Sequence, residues 1–194
     1  PLSVESSRPL RDFQIIIFAI PFEVDFINAL KILSNAGIPL SPHSRDQVVL
    51  AGGVAITANP TPLFPFFDGF FFGEWEKMEE SVVPLFIEGI EDKAKLMESL
   101  NKLPFFYTPH QPKEEVRVAK VKSGFNPVVS HLISEKAEFK NSHLIEVLRG
   151  CGRGCRFCLA GYLFRPPRAP DREALLEACK NLPEESKVGL IGLE

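Results

Sequence analysis

The chain has 194 residues, of which 45% are hydrophobic and 24% charged, and its formal net charge is -3. This composition is typical of a globular protein with one large or two small domains, and it argues against a broadly basic surface for nucleic acid. No apolar run reaches the ~18 residues of a membrane span, and no cationic-then-apolar signal opens the chain. Four cysteines, three of them in one motif, fit a reducing cytoplasm better than a secreted disulfide scaffold. We therefore expect a cytoplasmic protein.

The first part of the chain begins with a strand and a helix. Residues 1–12 have no periodicity and predict an extended lead-in, whereas residues 13–20 form a β-branched and aromatic run that is typical of a buried parallel strand. Within 23–36 the apolar residues recur at three-and-four spacing, and Gly37 follows as a helix stop. The pattern predicts a strand–helix unit.

Two further strands repeat this arrangement. A short apolar strand over 47–51 leads into Gly52-Gly53, and a strand over 70–72 leads into Gly73-Glu74 and an amphipathic helix over 74–89. Alternating strands and helices with short links predict an α/β domain with a doubly wound parallel sheet. Ligands of such sheets bind at the carboxyl ends of the strands, where these glycines lie. A tight turn with positive φ explains Gly52-Gly53 equally well.

The middle of the chain predicts a surface helix followed by a linker. The helix covers 91–103, and the proline-rich linker covers 104–141. Within the linker, residues 115–122 alternate apolar and charged side chains as a half-exposed strand does, and 128–134 is the predicted hairpin partner.

The last third of the chain predicts one strand–helix–strand unit. The strands are 142–148 and 187–192, and the helix begins at Pro170-Asp171 with one apolar face that contains Cys179. Cys179 is therefore expected to be a small buried hydrophobic residue. These patterns place the predicted domains at 1–103, 104–141 and 142–194.

Three cysteines stand four and then three residues apart in a glycine-containing loop, at Cys151, Cys155 and Cys158. Thiolates are soft ligands for iron–sulfur clusters, zinc or copper, and glycines permit the curvature that aims three sulfurs at one point. A structural zinc site needs a fourth ligand, and neither His143 nor Cys179 stands at finger-like spacing. A disulfide would leave one of the three cysteines unpaired. The spacing favours a cluster, with zinc or reactive thiols as alternatives.

Five arginines crowd this loop, namely Arg149, Arg153, Arg156, Arg165 and Arg168. Cations beside an anionic thiolate cluster and a ligand carboxylate are chemically sensible, because guanidinium groups bind such anions well. The alternative is that each arginine is a solvated loop charge.

The cysteine spacing, with the aromatic Phe157 just before the last cysteine, resembles the radical S-adenosylmethionine (radical SAM) superfamily. The resemblance implies a 4Fe-4S cluster on Cys151, Cys155 and Cys158, with one iron open to the amino and carboxylate groups of S-adenosylmethionine. It implies cleavage of that molecule to a 5′-deoxyadenosyl radical, and a protein reductant such as a flavodoxin or ferredoxin. RNA modification, cofactor biosynthesis and methyl transfer all stay open, so a nucleic acid substrate is not excluded.

The same resemblance implies roles for three further residues. Phe157 would pack near the adenine side of S-adenosylmethionine. Gly192 and Glu194 fall where the family has a Gly-Gly-Glu-like strand end that contacts the amino group, although Leu193 departs from that pattern. Family barrels have six strand–helix units, a partial (β/α)6 barrel, and this sequence holds one unit and the next strand. We therefore expect the N-terminal portion of a radical SAM enzyme.

The first domain resembles the cobalamin-binding-like, Rossmann-like domain that precedes the barrel in some radical SAM proteins. This resemblance rests on Gly52-Gly53 after one strand and Gly73-Glu74 after the next. The family's Asp-x-His-x-x-Gly motif, which supplies an axial histidine, is absent, because none of the four histidines stands in it: His43, His110, His131 and His143. Cobalamin would therefore bind without that ligand, or the domain keeps the fold without the cofactor.

Two functions of other classes compete with this interpretation. One is an iron–sulfur electron-transfer or binding module without catalysis, although such clusters normally keep four protein ligands. The other is an interaction domain that zinc stabilises.

Overall fold

The computed structural model of the chain describes residues 1–130 and 132–192. The chain forms two compact units, the first spanning Pro1–Lys120 and the second beginning at Val121. The domain boundaries expected after residues 103 and 141 stay predictions. Within the described ranges, no helix combines the length and apolar character that a membrane crossing requires.

The first unit contains a four-stranded sheet. Its strands are β1 (Ile15–Ala19), β2 (Val48–Gly52), β3 (Gly69–Phe71) and β4 (Phe106–Tyr107), and they lie side by side in that order. The first three are parallel, and β4 pairs antiparallel with β3. The central strand β2 is buried along nearly its whole length, which explains why its sequence is continuously apolar.

Four helices cover this sheet: α1 (Asp25–Asn35), α2 (Val54–Ala58), α3 (Glu79–Gly89) and α4 (Lys93–Asn101). One buried cluster joins the sheet to the first two helices through residues that include Val49, Ala51, Phe70, Leu33 and Ile56. A second cluster joins it to the other two through residues that include Leu50, Phe71, Phe106, Val82 and Leu96. Alternate residues of each strand enter opposite clusters because side chains alternate across a strand. The predicted α/β class with a mainly parallel sheet is confirmed, and the arrangement is consistent with a Rossmann-like fold.

One α-helix and one strand of the first unit were not predicted, and one predicted helix differs in its start. The short helix α2 follows Gly53 directly, and β4 lies inside the predicted linker. The helix expected from residue 74 begins with the 3-10 turn Trp75–Lys77, and α3 starts at Glu79. Neither α2, with five residues, nor β4, with two, is long enough to show a helical period or a strand alternation.

The predicted hairpin of 115–122 with 128–134 differs from the structure. Ala119 instead forms a single parallel bridge to Gly73, with its amide donating to the Phe72 carbonyl at 2.9 Å. Val129 bridges to Ile145. Each segment finds backbone partners at the end or edge of another strand, and an alternating sequence cannot specify which partner a strand takes.

The second unit contains a parallel pair of strands, β5 (Ser142–Leu148) and β6 (Lys187–Gly192), with the helices α5 (Ala160–Leu163) and α6 (Arg172–Lys180) between them in sequence. Both strands occupy their predicted residues. The Asp171 carboxylate begins α6 by accepting the amide hydrogens of Glu173 at 3.0 Å and Ala174 at 2.9 Å.

The prediction that Cys179 is buried was wrong, because the structure leaves it exposed. No residue of α6 is buried. An amphipathic stripe shows which face a helix can bury, but the burial itself requires a covering layer. The rest of a barrel beyond this strand–helix–strand unit stays a proposal.

Candidate functional site

The three motif cysteines lie in a loop that is closed at its base, residues 149–168, which we call the cysteine loop. β5 ends at Leu148 and leads directly into this loop. Arg149 and Arg168 then pair antiparallel, the Arg149 amide donating to the Arg168 carbonyl at 2.8 Å and the Arg168 amide donating to the Arg149 carbonyl at 2.7 Å. The loop is therefore anchored at both ends to the carboxyl end of a parallel strand.

Gly150 permits the chain to return so closely to its own path. Its φ is +89°, a conformation that only glycine adopts without strain. A Cβ at this position would overlap the Phe164 carbonyl oxygen and would lie 2.6 Å from the Pro166 carbonyl oxygen. Any other side chain would therefore push the two arms of the loop apart.

The two arginines at the base have structural partners. Arg168 is 4% exposed, and its guanidinium donates from Nε to the Pro166 carbonyl at 3.0 Å and from Nη1 to the Val121 carbonyl at 2.9 Å. Arg149 makes a two-pronged ion pair with Glu146, at 2.8 and 2.6 Å, and its guanidinium lies 4.6 Å from the centre of the Phe125 ring. These two arginines thus fix the loop.

The sequence interpretation grouped all five arginines as charges beside a cluster, and it missed this role. Spacing gave no signal for the Glu146–Arg149 pair, because residues three apart on a regular strand face opposite sides, and the pair forms beside a register irregularity between Glu146 and Leu148. The structural duty of Arg168 had no signal either, because its acceptors are backbone carbonyls.

The cysteines themselves lie at the surface of the loop. Cys155 is exposed and Cys151 and Cys158 are partly exposed, and all four cysteines of the chain are free thiols. The Arg153 amide donates to the Cys151 sulfur at 3.4 Å. Among residues 1–130 and 132–192, no three His, Cys, Asp or Glu side chains are gathered as a metal site. Three thiols are the donor type that an iron–sulfur cluster takes, but the loop as described does not bring the three sulfurs together.

The structure brings one of the other predicted site residues to the base of the loop. Gly192 ends β6 opposite Leu148, and a Cβ added to it would lie 3.0 Å from the Leu148 Cβ. Phe157 is 93% exposed and contacts no other aromatic ring among the described residues. Glu194 lies outside the described residues.

In the first unit, the glycines at the strand ends serve close backbone contacts. Gly53 has φ +106°, and a Cβ there would lie 2.6 Å from the Ile20 carbonyl oxygen. Gly73 has φ +117°, and a Cβ there would lie 2.5 Å from the Ala119 amide nitrogen. Chain packing thus requires both glycines, whether or not a ligand binds beside them.

A cleft of about 390 Å³ nevertheless opens at this edge of the sheet. Its lining is apolar, with Phe18, Phe71, Trp75 and Met78 among its walls and no charged side chain. None of the described histidines lines it, and His131 lies outside the described residues. The cleft suits an uncharged group and offers a bound cobalamin no described imidazole.

Comparison with known proteins gives one family and one relative. The family described as "Radical SAM proteins, N-terminal" matches residues 1–109. An uncharacterized protein of Methanocaldococcus jannaschii is 27% identical over 193 residues, which is 98% of this chain and 40% of that protein. The chain thus spans two fifths of the length of this relative. No solved structure matches this chain.

Proposed function

The chain belongs to the family of radical SAM proteins, N-terminal, and from this premise we propose that it is the N-terminal portion of an enzyme that binds a 4Fe-4S cluster and cleaves S-adenosylmethionine. The observation that carries the proposal is the cysteine loop: the family match covers the first unit, and three thiols at Cys-x3-Cys-x2-Cys spacing follow in the second. We place the protein in the cytoplasm, where thiols stay reduced.

The cluster, when bound, would supply the electron that breaks the bond between the sulfur of S-adenosylmethionine and its 5′ carbon. The chain's own residues have simpler tasks. Cys151, Cys155 and Cys158 would act as thiolates, and the pairing of Arg149 with Arg168 holds the ends of their loop together. The loop between these ends would rearrange to bring the sulfurs together.

Substrate recognition is proposed for residues near the same strand ends. Gly192 leaves room beside Leu148 because it has no side chain, so that the amino group of S-adenosylmethionine could approach the backbone there. Phe157 presents an exposed ring that would pack near the adenine. The Glu194 carboxylate would accept a hydrogen bond from the amino group. Cobalamin is not required by the proposal, and the reductant would be a flavodoxin or ferredoxin.

The test is anaerobic reconstitution of the full-length protein with iron and sulfide. We expect about four irons per chain, bound by thiolates. Cys151→Ala, Cys155→Ala and Cys158→Ala should each lose the cluster, whereas Cys179→Ala, at an exposed position of α6, should keep it. Retention in all three loop variants, or loss in Cys179→Ala alone, would contradict the assignment.

The cleavage step needs its own measurement. The reconstituted protein is incubated with dithionite and S-adenosylmethionine, and 5′-deoxyadenosine is measured by chromatography. We also expect S-adenosylmethionine to change the electron paramagnetic resonance spectrum of the reduced cluster, because it binds the open iron. A cluster that forms but gives neither signal would indicate the electron-transfer module instead.

A further inference from the structure

A buried charge network lies below a pair of histidines in the first unit. Asp68 is 2% exposed, and its carboxylate contacts Arg45 Nη2 and Lys93 Nζ at 2.9 Å each. It also accepts the Val49 amide hydrogen at 2.8 Å. Both carboxylate oxygens are thus engaged, and the residue ties β2, α4 and the start of β3 together.

The same network fixes the backbone of two distant segments. Lys93 Nζ donates to the Pro42 carbonyl at 3.0 Å, which holds the 3-10 turn Pro42–Ser44. Thr108 Oγ1 donates to the Asp68 carbonyl at 2.7 Å and accepts the His110 amide hydrogen at 3.3 Å. His43 and His110 therefore stand on segments that share one rigid support.

The two imidazole rings approach each other above this support. Their centres are 5.1 Å apart with planes at 67°, and both residues are exposed. Two histidines that share a tetrahedral Zn²⁺ with Zn–N bonds of about 2.0–2.1 Å have ring centres about 5.2 Å apart. The observed separation, which is that of an edge-to-face ring contact, therefore also fits a shared metal ion.

We propose that His43 and His110 together bind a divalent transition-metal ion of the zinc class. Imidazole nitrogen suits Zn²⁺, Ni²⁺ and Cu²⁺, and the exposed rings can turn without disturbing the core. A cleft of about 470 Å³ adjoins both rings and leaves room for the water molecules that complete the coordination. Asp68 is not a ligand, because its oxygens are occupied by Arg45, Lys93 and Val49.

The metal would act as a clamp. It would join the turn before β2 to the loop after β4, two segments far apart in sequence whose histidine rings are in contact. The site is independent of the cysteine loop, which lies in the second unit. Its failure would therefore leave the proposed function unaffected.

The test is a calorimetric titration of the chain with Zn²⁺. All four cysteines are replaced by serine so that thiolates cannot bind the metal, and none of them lies in the first unit. We expect one Zn²⁺ per chain in this background. His43→Ala and His110→Ala should each weaken binding at least tenfold, whereas the control His143→Ala, on β5, should bind as the parent does.

A second readout separates binding from folding. Zn²⁺ should raise the melting temperature of the parent but not of the two histidine variants, whose circular dichroism without metal should match the parent because both side chains are exposed. Absence of Zn²⁺ binding in the parent, or unchanged affinity in either histidine variant, would overturn the proposal.

Discussion

At the base of the cysteine loop, Gly150 combines a positive φ with two carbonyl oxygens where a Cβ would sit. Gly150→Ala should therefore open the loop and destabilise the second unit by about 1–3 kcal/mol, from backbone strain plus the clash. Urea unfolding measures the loss, and the reconstituted protein should hold less iron than the parent.

Gly124→Ala is the matched control for Gly150→Ala. Gly124 has φ +86°, but a Cβ there would meet nothing within 4 Å. This control should lose only the strain of a left-handed residue, about 1 kcal/mol, and should keep its iron. Equal effects of the two variants would show that the contact with Phe164 and Pro166 is unimportant.

Arg168 is the second residue on which the loop depends. Arg168→Met keeps the length of the side chain but removes the donors to the Pro166 and Val121 carbonyls, so it should cost about 2–3 kcal/mol of unfolding free energy. Arg172→Met, at an exposed position of α6, should change stability by less than about 0.5 kcal/mol. A stable Arg168→Met protein would mean that the backbone pairing alone holds the loop.

At the scale of elements, the sequence predicts the long buried strands well and the short ones poorly. β1, β2, β5 and β6 are apolar runs whose β-branched residues identify them directly. β4 has two residues, and its antiparallel pairing with β3 depends on Phe106 filling the second core. No local pattern contains that information, since a distant strand supplies the partner.

Helix α3 carries an internal proline that should limit its stability. Pro84 lies inside Glu79–Gly89 on an exposed face, where it has no amide hydrogen to donate to the preceding turn. Pro84→Ala should restore that bond and stabilise the first unit by up to about 3 kcal/mol. Thermal unfolding followed by circular dichroism tests this.

Val83→Ala, also exposed on α3, is the control for Pro84→Ala and should change stability by about 0.5 kcal/mol or less. A Pro84→Ala protein that melts with or below the parent would show that the helix has already adapted to its proline.

At the scale of the whole molecule, the sequence predicted a first domain of 1–103, and the first compact unit extends through Lys120. The extra residues contribute β4 and the bridge of Ala119 to Gly73. A fragment of residues 1–120 should therefore unfold cooperatively, whereas one of 1–103 should not, because it lacks Phe106 from the second core. Urea titration of both fragments decides between the two boundaries, and cooperative unfolding of 1–103 would favour the shorter one.

The sequence predicts the chemistry of the candidate site better than the way its loop is held. Thiol spacing predicts Cys151, Cys155 and Cys158 as a ligand set, because thiolates are soft metal ligands, and this assignment stays a prediction. The closure of their loop depends on Arg168, which donates to backbone carbonyl oxygens, and on Gly150, which packs against them. Every residue has a carbonyl oxygen, so the sequence does not show which of them accept these hydrogen bonds or make these contacts.

The strand β6 also affects how readily this polypeptide associates with itself in solution. Its outer edge pairs with no described strand, and its faces carry the exposed apolar residues Val188, Leu190 and Ile191, at 43%, 66% and 38% exposure. An open apolar edge of this kind offers a template to any other extended chain in solution. Concentrating the polypeptide under conditions where both units stay folded would therefore promote self-association through strand pairing. Turbidity should then rise with protein concentration.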